Sequence, residues 1–343
     1  MTRIPTSPAP APKRWAPGET PWQSPPAARP PAARVIIDND FAGDPDDLYQ
    51  LIHHLLSPSV EIRAVIGSHL REGDGFYPHG DSATQAAAIA RDVLDRIGLD
   101  APGLVVEGSN TALAERTEPQ RSPALEVIID EALREDTDLP LFYVAGGGLT
   151  DLASALIAEP RIARRMTLVW IGGNEHEGLA TPPPGGMPIE YNLLIDVLAG
   201  QVVFTDSSVE IWQVPRDVYR QCLVSEAELR LRVAATGPVG RYLYDETLVV
   251  AEAVTAHGGL HPETYALGDS PLVLLTALRA FFEPDSSSSR HRVMPTPALE
   301  ADGGYTARPE ARPMRVYTQV DTRLMLEDLY LKLRELDAWL TAP

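Results

Sequence analysis

Ten consecutive residues, Asp38-Asn39-Asp40-Phe41-Ala42-Gly43-Asp44-Pro45-Asp46-Asp47, carry five carboxylates. They stand between a short apolar run, Val35-Ile36-Ile37, and a stretch in which Leu48, Leu51, Ile52, Leu55 and Leu56 recur at i, i+3, i+4, i+7 and i+8. The first pattern predicts a buried strand and the second one face of a helix. Five negative charges in one turn repel one another and raise each other's pKa values. A divalent cation among them relieves that repulsion. Ligation by oxygen alone favours a hard ion, calcium or magnesium, over zinc. A helix beginning near Pro45 also favours negative charge at its start. Aspartate is an ordinary loop and N-cap residue, but one or two would serve that purpose.

Other chemistries are excluded by what is missing. The 343-residue chain has only two lysines, Lys13 in a proline-rich segment and Lys332 near the C-terminus. Neither follows a glycine-rich loop, so there is no phosphate-binding Gly-Lys-Ser/Thr, and neither suits a buried Schiff base. The single cysteine, Cys222, excludes a disulfide framework and a cysteine-rich zinc site. The net charge of −19 argues against nucleic acid as a partner. No apolar run reaches the length of about 18 residues needed to span a membrane. The first residues lack the apolar core of a secretory signal. A cytoplasmic location with no membrane partner is therefore expected.

The elements that must position the acidic turn follow from periodicity. Strands are predicted at 35–37, 61–66, 104–106, 141–145, 166–171 and 209–214. Helices are predicted at 48–56, 82–97, 122–135, from Thr150, and at 193–204. The alternation implies an α/β fold, a mainly parallel sheet with helices on both faces, Rossmann-like in outline. Beyond 215 the chain reads as mostly helical, over 239–256, 271–282 and 322–340. Ser225 and Glu228 form a capping box, 284–313 reads as a loop with a hairpin, and 315–320 as a late strand. Residues 1–33 hold ten prolines and seven alanines. They are expected to form a disordered arm, or a strap across a neighbouring subunit anchored by Trp15 or Trp22. One α/β domain is expected over 34–343.

Strand, Asp-x-Asp, Gly, Asp-Asp, helix resembles the opening motif of the inosine–uridine nucleoside hydrolases, Asp-x-Asp-x-Gly-x-Asp-Asp, with two residues more. Further blocks follow in the same order. Gly147-Gly148-Leu149-Thr150-Asp151-Leu152-Ala153 resembles that family's Gly-Pro-Leu-Thr-Asn-Leu-Ala. Trp170-Ile171-Gly172-Gly173 resembles its Met-Gly-Gly, and Glu190-Tyr191-Asn192 with Asp196 its Glu-Phe-Asn…Asp. Gly268-Asp269-Ser270-Pro271 resembles its late His-Asp-Pro, and Arg312–Val320 its closing strand.

The resemblance implies a nucleoside-hydrolase-like core and calcium-dependent hydrolysis of the N-glycosidic bond of a ribonucleoside or related riboside. It also implies a homo-oligomer, a dimer or tetramer. It assigns calcium to Asp40, Asp47, Asp269 and the main-chain carbonyl of Thr150. Asp40 would accept a proton from the attacking water, Asp46 would hold ribose hydroxyls, Glu190 and Asn192 would bind the sugar, and Asp38 would hold the loop from behind. Electrostatics agrees, because breaking an N-ribosidic bond builds positive charge on the sugar that nearby carboxylates stabilise.

The chain also departs from that pattern. Asp44 either replaces or supplements Asp46 in the longer turn. Gly268 stands where the family often has a histidine that protonates the departing base, and residues 114–125 contain no histidine. The asparagine that contacts the 5′-hydroxyl falls in Thr181-Pro182-Pro183-Pro184-Gly185-Gly186, where there is none. His69, after the second strand, and then His176 are the best-placed substitutes for the missing acid, ahead of His53 and His54. Tyr191 and Tyr265 are candidates to stack on a base. A changed leaving group, or ribose binding without turnover, are the alternatives these departures raise.

Overall fold

The computed structural model describes residues 13–23, 30–256, 263–280 and 288–342. Strand β1 (Ala33–Asn39) is buried along its whole length. Its side chains alternate between two cores: Val35 and Ile37 on one face of the sheet, Ile36 on the other. Burial on both faces is why it reads as a continuous apolar run.

β1 lies between β2 (Val60–Gly67) and β4 (Leu141–Ala145). From β2 the sheet continues to β3 (Val105–Glu107). From β4 it continues to β5 (Met166–Ile171), β6 (Glu210–Val214) and then Pro313–Gln319, all parallel. Arg290–Pro295 closes the eight-stranded order as an antiparallel edge. The parallel sheet with helices on both faces is thus as expected. Helices α1 (Asp46–Leu55) and α2 (Ser82–Arg96) cover one face, with Pro238–Ala256 and Thr322–Thr341. Helices α3 (Pro123–Ala132) and α4 (Thr150–Ala158) cover the other. The chain runs outward from β1 through β2 to β3, then resumes beside β1 at β4. That reversal leaves a crevice at the carboxyl ends of β1 and β4, where ligands bind in open α/β sheets.

Three expectations need correction. The helix expected over 193–204 is broken into α5 (Tyr191–Ile195), α6 (Val197–Gln201) and a wider turn Val202–Asp206. Asp196 breaks it by turning extended and capping α6, its carboxylate accepting from Ala199 N. The helix expected over 271–282 ends at Thr276; residues 281 and 282 lie outside the described residues. The disordered arm does not hold for residues 13–23. Trp15 is buried, bridges to Leu99 and donates its indole N–H to the carbonyl of Ile97, while Lys13 bonds the carbonyls of Trp339 and Ala342. Trp22 packs edge-on against Trp15 and Trp339. This segment straps its own domain, because two indoles bury too much apolar area to stay in water. Residues 1–12 and 24–29 of the expected arm lie outside the described residues.

Candidate active site

The acidic turn lies where the crevice predicts. β1 ends at Asn39, the turn spans Asp40–Pro45, and α1 begins at Asp46. Asp46 and Asp47 thus occupy the first turn of a helix, where exposed main-chain N–H groups favour negative charge. Asp269 arrives from the far end of the chain, just before the helix Pro271–Thr276. Carboxylate oxygens of Asp46, Asp47 and Asp269 lie within 4.8 Å of one another, and all three residues are buried. Asp40 is buried beside Asp47.

The pleat sends Asp38 and Asn39 to opposite faces of the sheet. Asn39 enters the cluster. Its amide nitrogen donates to Asp269 Oδ2 at 2.8 Å, to Asp47 Oδ1 at 3.0 Å and to Gln50 Oε1 at 3.2 Å, while its oxygen accepts the N–H of Gly146 at 2.8 Å. Asp38 turns away, accepts the hydroxyl of Tyr143, and is pushed up to about 8 by burial and then by the charge of Asp151. It supports the strand end from behind and does not reach the cluster.

Glycines let the cluster close against β4. A Cβ on Gly146 would lie 1.8 Å from Asp269 Oδ2, and one on Gly147 would lie 3.0 Å from the carboxyl carbon of Asp40. Gly146, the residue directly after β4, lines the cavity. Thr150 is elsewhere. It opens α4, so its carbonyl points along the helix axis. Its hydroxyl donates to Asp196 and meets Nε2 of His69, both at 2.8 Å.

The cluster floors a cavity of about 270 Å³. Asp40, Asp44, Asp46, Asp47 and Asp269 line one part of it; Glu190, Tyr191, Asn192, Tyr219 and Phe76 line another. Glu190 caps α5, accepting from Asn192 N and Leu193 N at 3.1 Å, from Gly173 N at 2.7 Å and from the Tyr219 hydroxyl at 2.9 Å. Asn192 gives both amide hydrogens to the carbonyls of Gly146 and Ile171, tying together the ends of β4 and β5. Tyr191 donates to Asp74 at 2.6 Å.

None of the described residues lining this cavity is basic. Burial therefore pushes Asp40, Asp46, Asp47 and Asp269 well above the ordinary carboxylate range. Mutual repulsion adds to it: Asp47 acts on Asp40, Asp44 on Asp46, Asp269 on Asp47, and Asp46 on Asp269. A buried cluster of acids with one neutral amide among them fits a hard divalent cation.

None of the described histidines lines the cavity. His69 is buried, with Nδ1 on the carbonyl of Leu70 and Nε2 on Thr150. His176 stacks on Tyr305, bonds Gln213 at 2.7 Å and is lowered by burial. His53 and His54 face the core, meeting Asp328 and Thr276. Tyr265 lies behind the turn beside Asp44 and Asp46 and lines a separate apolar groove. Sequence reasoning missed Asn39, Gly146 and Tyr219. The strand period could have found Asn39, since it must face away from Asp38. Nothing local marks Tyr219.

A family model described as inosine-uridine preferring nucleoside hydrolase matches residues 35–326. The inosine-uridine preferring nucleoside hydrolase of Leishmania major is 31% identical over 159 residues, 45% of this chain and 48% of that protein. Its Crithidia fasciculata counterpart is 35% identical over 120 residues, 34% of this chain and 35% of that protein. The chain thus matches about half or less of the length of these curated relatives. Among solved structures, the plant nucleoside hydrolase PpNRh1 aligns with TM-score 0.66 and 20% identity over 89% of this chain and 99% of that one. A purine-preferring ribonucleoside hydrolase from Gardnerella vaginalis aligns with TM-score 0.67 and 19% identity over the same shares. At such identities these two comparisons establish the fold.

Proposed function

Because the chain belongs to the inosine-uridine preferring nucleoside hydrolase family, we propose that it hydrolyses the N-glycosidic bond of a ribonucleoside or related riboside, with calcium as cofactor. The observation that carries this reading is the buried carboxylate cluster at the mouth of the β1–β4 crevice, with no basic residue lining the cavity it floors. Asp47 and Asp269, with Asp40 beside Asp47 and Asp46 within 4.8 Å of Asp47 and Asp269, are the carboxylates that would hold the ion, and the backbone of Gly146 abuts Asp269. When bound, calcium would supply Lewis acidity and a docking point for water and the vicinal diol.

The chain's own residues do the rest. Asp40 is the carboxylate that, ionised, would accept the proton of the attacking water. Asp46 orients the ribose hydroxyls. The remaining carboxylates stabilise the oxocarbenium-like charge on the sugar. Glu190 and Asn192 shape the sugar wall.

A second reading keeps the reaction and changes the leaving group. Its support is specific: His69 spends both ring nitrogens on Leu70 and Thr150, His176 bonds Gln213 through Nε2, and neither lines the cavity. The aglycone then departs without a proton from His69 or His176, as a modified base or another good leaving group. A riboside-binding protein without turnover is the outcome if no substrate reacts. Cytoplasmic location and a dimer or tetramer belong to the same reading, the latter checked by light scattering. The deciding experiment measures reducing sugar released from inosine, uridine and p-nitrophenyl riboside, with calcium and after chelation. Hydrolysis abolished by chelation and restored by calcium supports the proposal; turnover of none of the three removes it.

A further inference from the structure

We propose that the hydroxyl of Tyr219 occupies the position on Glu190 that a third sugar hydroxyl would otherwise take, so that this chain favours ribosides lacking a hydroxyl on C5. The inference rests on the riboside reading above.

A carboxylate offers about four lone-pair positions. On Glu190 all four are filled. Oε2 accepts from Gly173 N at 2.7 Å and Leu193 N at 3.1 Å; Oε1 accepts from Asn192 N at 3.1 Å and the Tyr219 hydroxyl at 2.9 Å. Three of these donors are main chain and follow from the cap of α5 and the turn after β5. Only Tyr219 contributes a side chain. Asn192 offers no substitute donor, since the carbonyls of Gly146 and Ile171 take both its amide hydrogens.

Tyr219 is held firmly in this place. It ends the short helix Arg216–Tyr219. Arg216 forms a buried bidentate pair with Glu175, both bonds 2.7 Å, and donates to the carbonyl of Met187. Its main-chain N–H meets the carbonyl of Gly173, the same residue whose N–H bonds Glu190. The Tyr219 ring lies over Gly268, where an added Cβ would come within 3.3 Å of Cδ2. A sugar hydroxyl approaching Glu190 must therefore displace a hydroxyl whose ring and helix have little room to move, and leave it without a partner.

Ribose in a riboside has three hydroxyls. The vicinal pair on C2 and C3 suits the acidic cluster. The C5 hydroxyl remains for the wall built by Glu190 and Tyr219. A phosphate on C5 would meet no basic residue among those lining the cavity. Hydrogen there asks for no hydrogen bond and leaves the Tyr219 hydroxyl on Glu190. The structure thus points to 5-deoxyribosides as the sugar class, independent of the aglycone.

The test uses the full chain loaded with calcium and two substrates, p-nitrophenyl riboside and its 5-deoxy analogue, whose leaving group needs no proton. Wild type is expected to show at least tenfold higher kcat/KM for the 5-deoxy compound. Tyr219→Phe frees one position on Glu190 and should move that ratio tenfold or more towards the 5-hydroxyl compound. A merely structural Tyr219 would lower both rates and leave the ratio unchanged. A wild-type preference for the 5-hydroxyl, or an unmoved ratio in Tyr219→Phe, overturns the proposal. If neither compound is hydrolysed, the proposed activity fails separately. The sugar preference is then read by calorimetric binding of adenosine and 5′-deoxyadenosine to both proteins. Equal binding, or binding of neither, overturns it.

Discussion

The amide nitrogen of Asn39 lies 2.8 Å from Oδ2 of Asp269, a contact between residues 230 positions apart. It joins the end of the first strand to the last acidic residue of the cluster and also reaches Asp47 at 3.0 Å. The N–H of Gly146 holds the amide oxygen, so the nitrogen must face the carboxylates. One neutral amide orients these acids but does not offset their charge.

Calcium should stabilise the protein, and more at higher pH. Burial raises Asp47 and Asp269 above their unfolded values, so the folded state binds more protons. That contribution is present below the ordinary carboxylate pKa and lost as pH rises through the raised values. Chelated protein should therefore melt lower at pH 8 than at pH 5. Calcium at about 100 times its Kd should restore about 2.7 kcal/mol at pH 8, several degrees in Tm. A Tm indifferent to calcium at pH 8, or zinc found by elemental analysis, would count against the assignment.

Asp40→Asn keeps the size and one oxygen while removing the proton acceptor. The turnover rate should fall by about 100-fold or more, with a far smaller change in Tm. Wild-type rates in a calcium-loaded variant would show that Asp40 is not the base.

Gly146→Ala should abolish calcium binding while the sheet persists. Its Cβ would stand 1.8 Å from Asp269 Oδ2 and 2.7 Å from Asn39 Nδ2, so the acids must separate. Circular dichroism close to wild type, together with no calcium-dependent thermal shift, is the expected pair of results. A retained shift would show that the cluster can tolerate the displacement.

Neither His69→Ala nor His176→Ala should change the ratio of inosine to p-nitrophenyl riboside turnover, because neither ring lines the cavity. Only the natural base needs a proton, worth roughly 100- to 10,000-fold. A tenfold swing towards the nitrophenyl substrate in either variant would identify that histidine as the acid after all.

Restoring a histidine before the late aspartate should fail alone and succeed with a second change. At Gly268 a Cβ would meet Asp46 Oδ2 at 3.0 Å and the Tyr219 ring at 3.3 Å. Gly268→His should therefore lower activity on inosine, whereas Gly268→His with Tyr219→Ala should recover at least tenfold of that loss. No recovery in the double variant would mean that the ring does not control the space beside residue 268.

Much of this protein was legible along the chain. The run Val35–Ile37, the acids 38–47 and the heptad-like leucines after them already determined a strand, a charged turn and a helix, because hydrophobic period and cap chemistry act over a few residues. The five blocks that followed in order determined the family and with it the fold. Tertiary structure decided what local patterns do not encode. It placed Gly146 rather than Thr150 at the cluster, since the helix starting at Thr150 aims that carbonyl along its own axis. It turned Asp38 away and Asn39 inward, through the register of β1 between β2 and β4. It drew His69 and His176 into partnerships with Thr150 and Gln213, and it laid Tyr219 over Gly268 from 49 residues away in sequence. Each of these depends on contacts between distant segments, whose geometry is set only when the sheet and its helices pack.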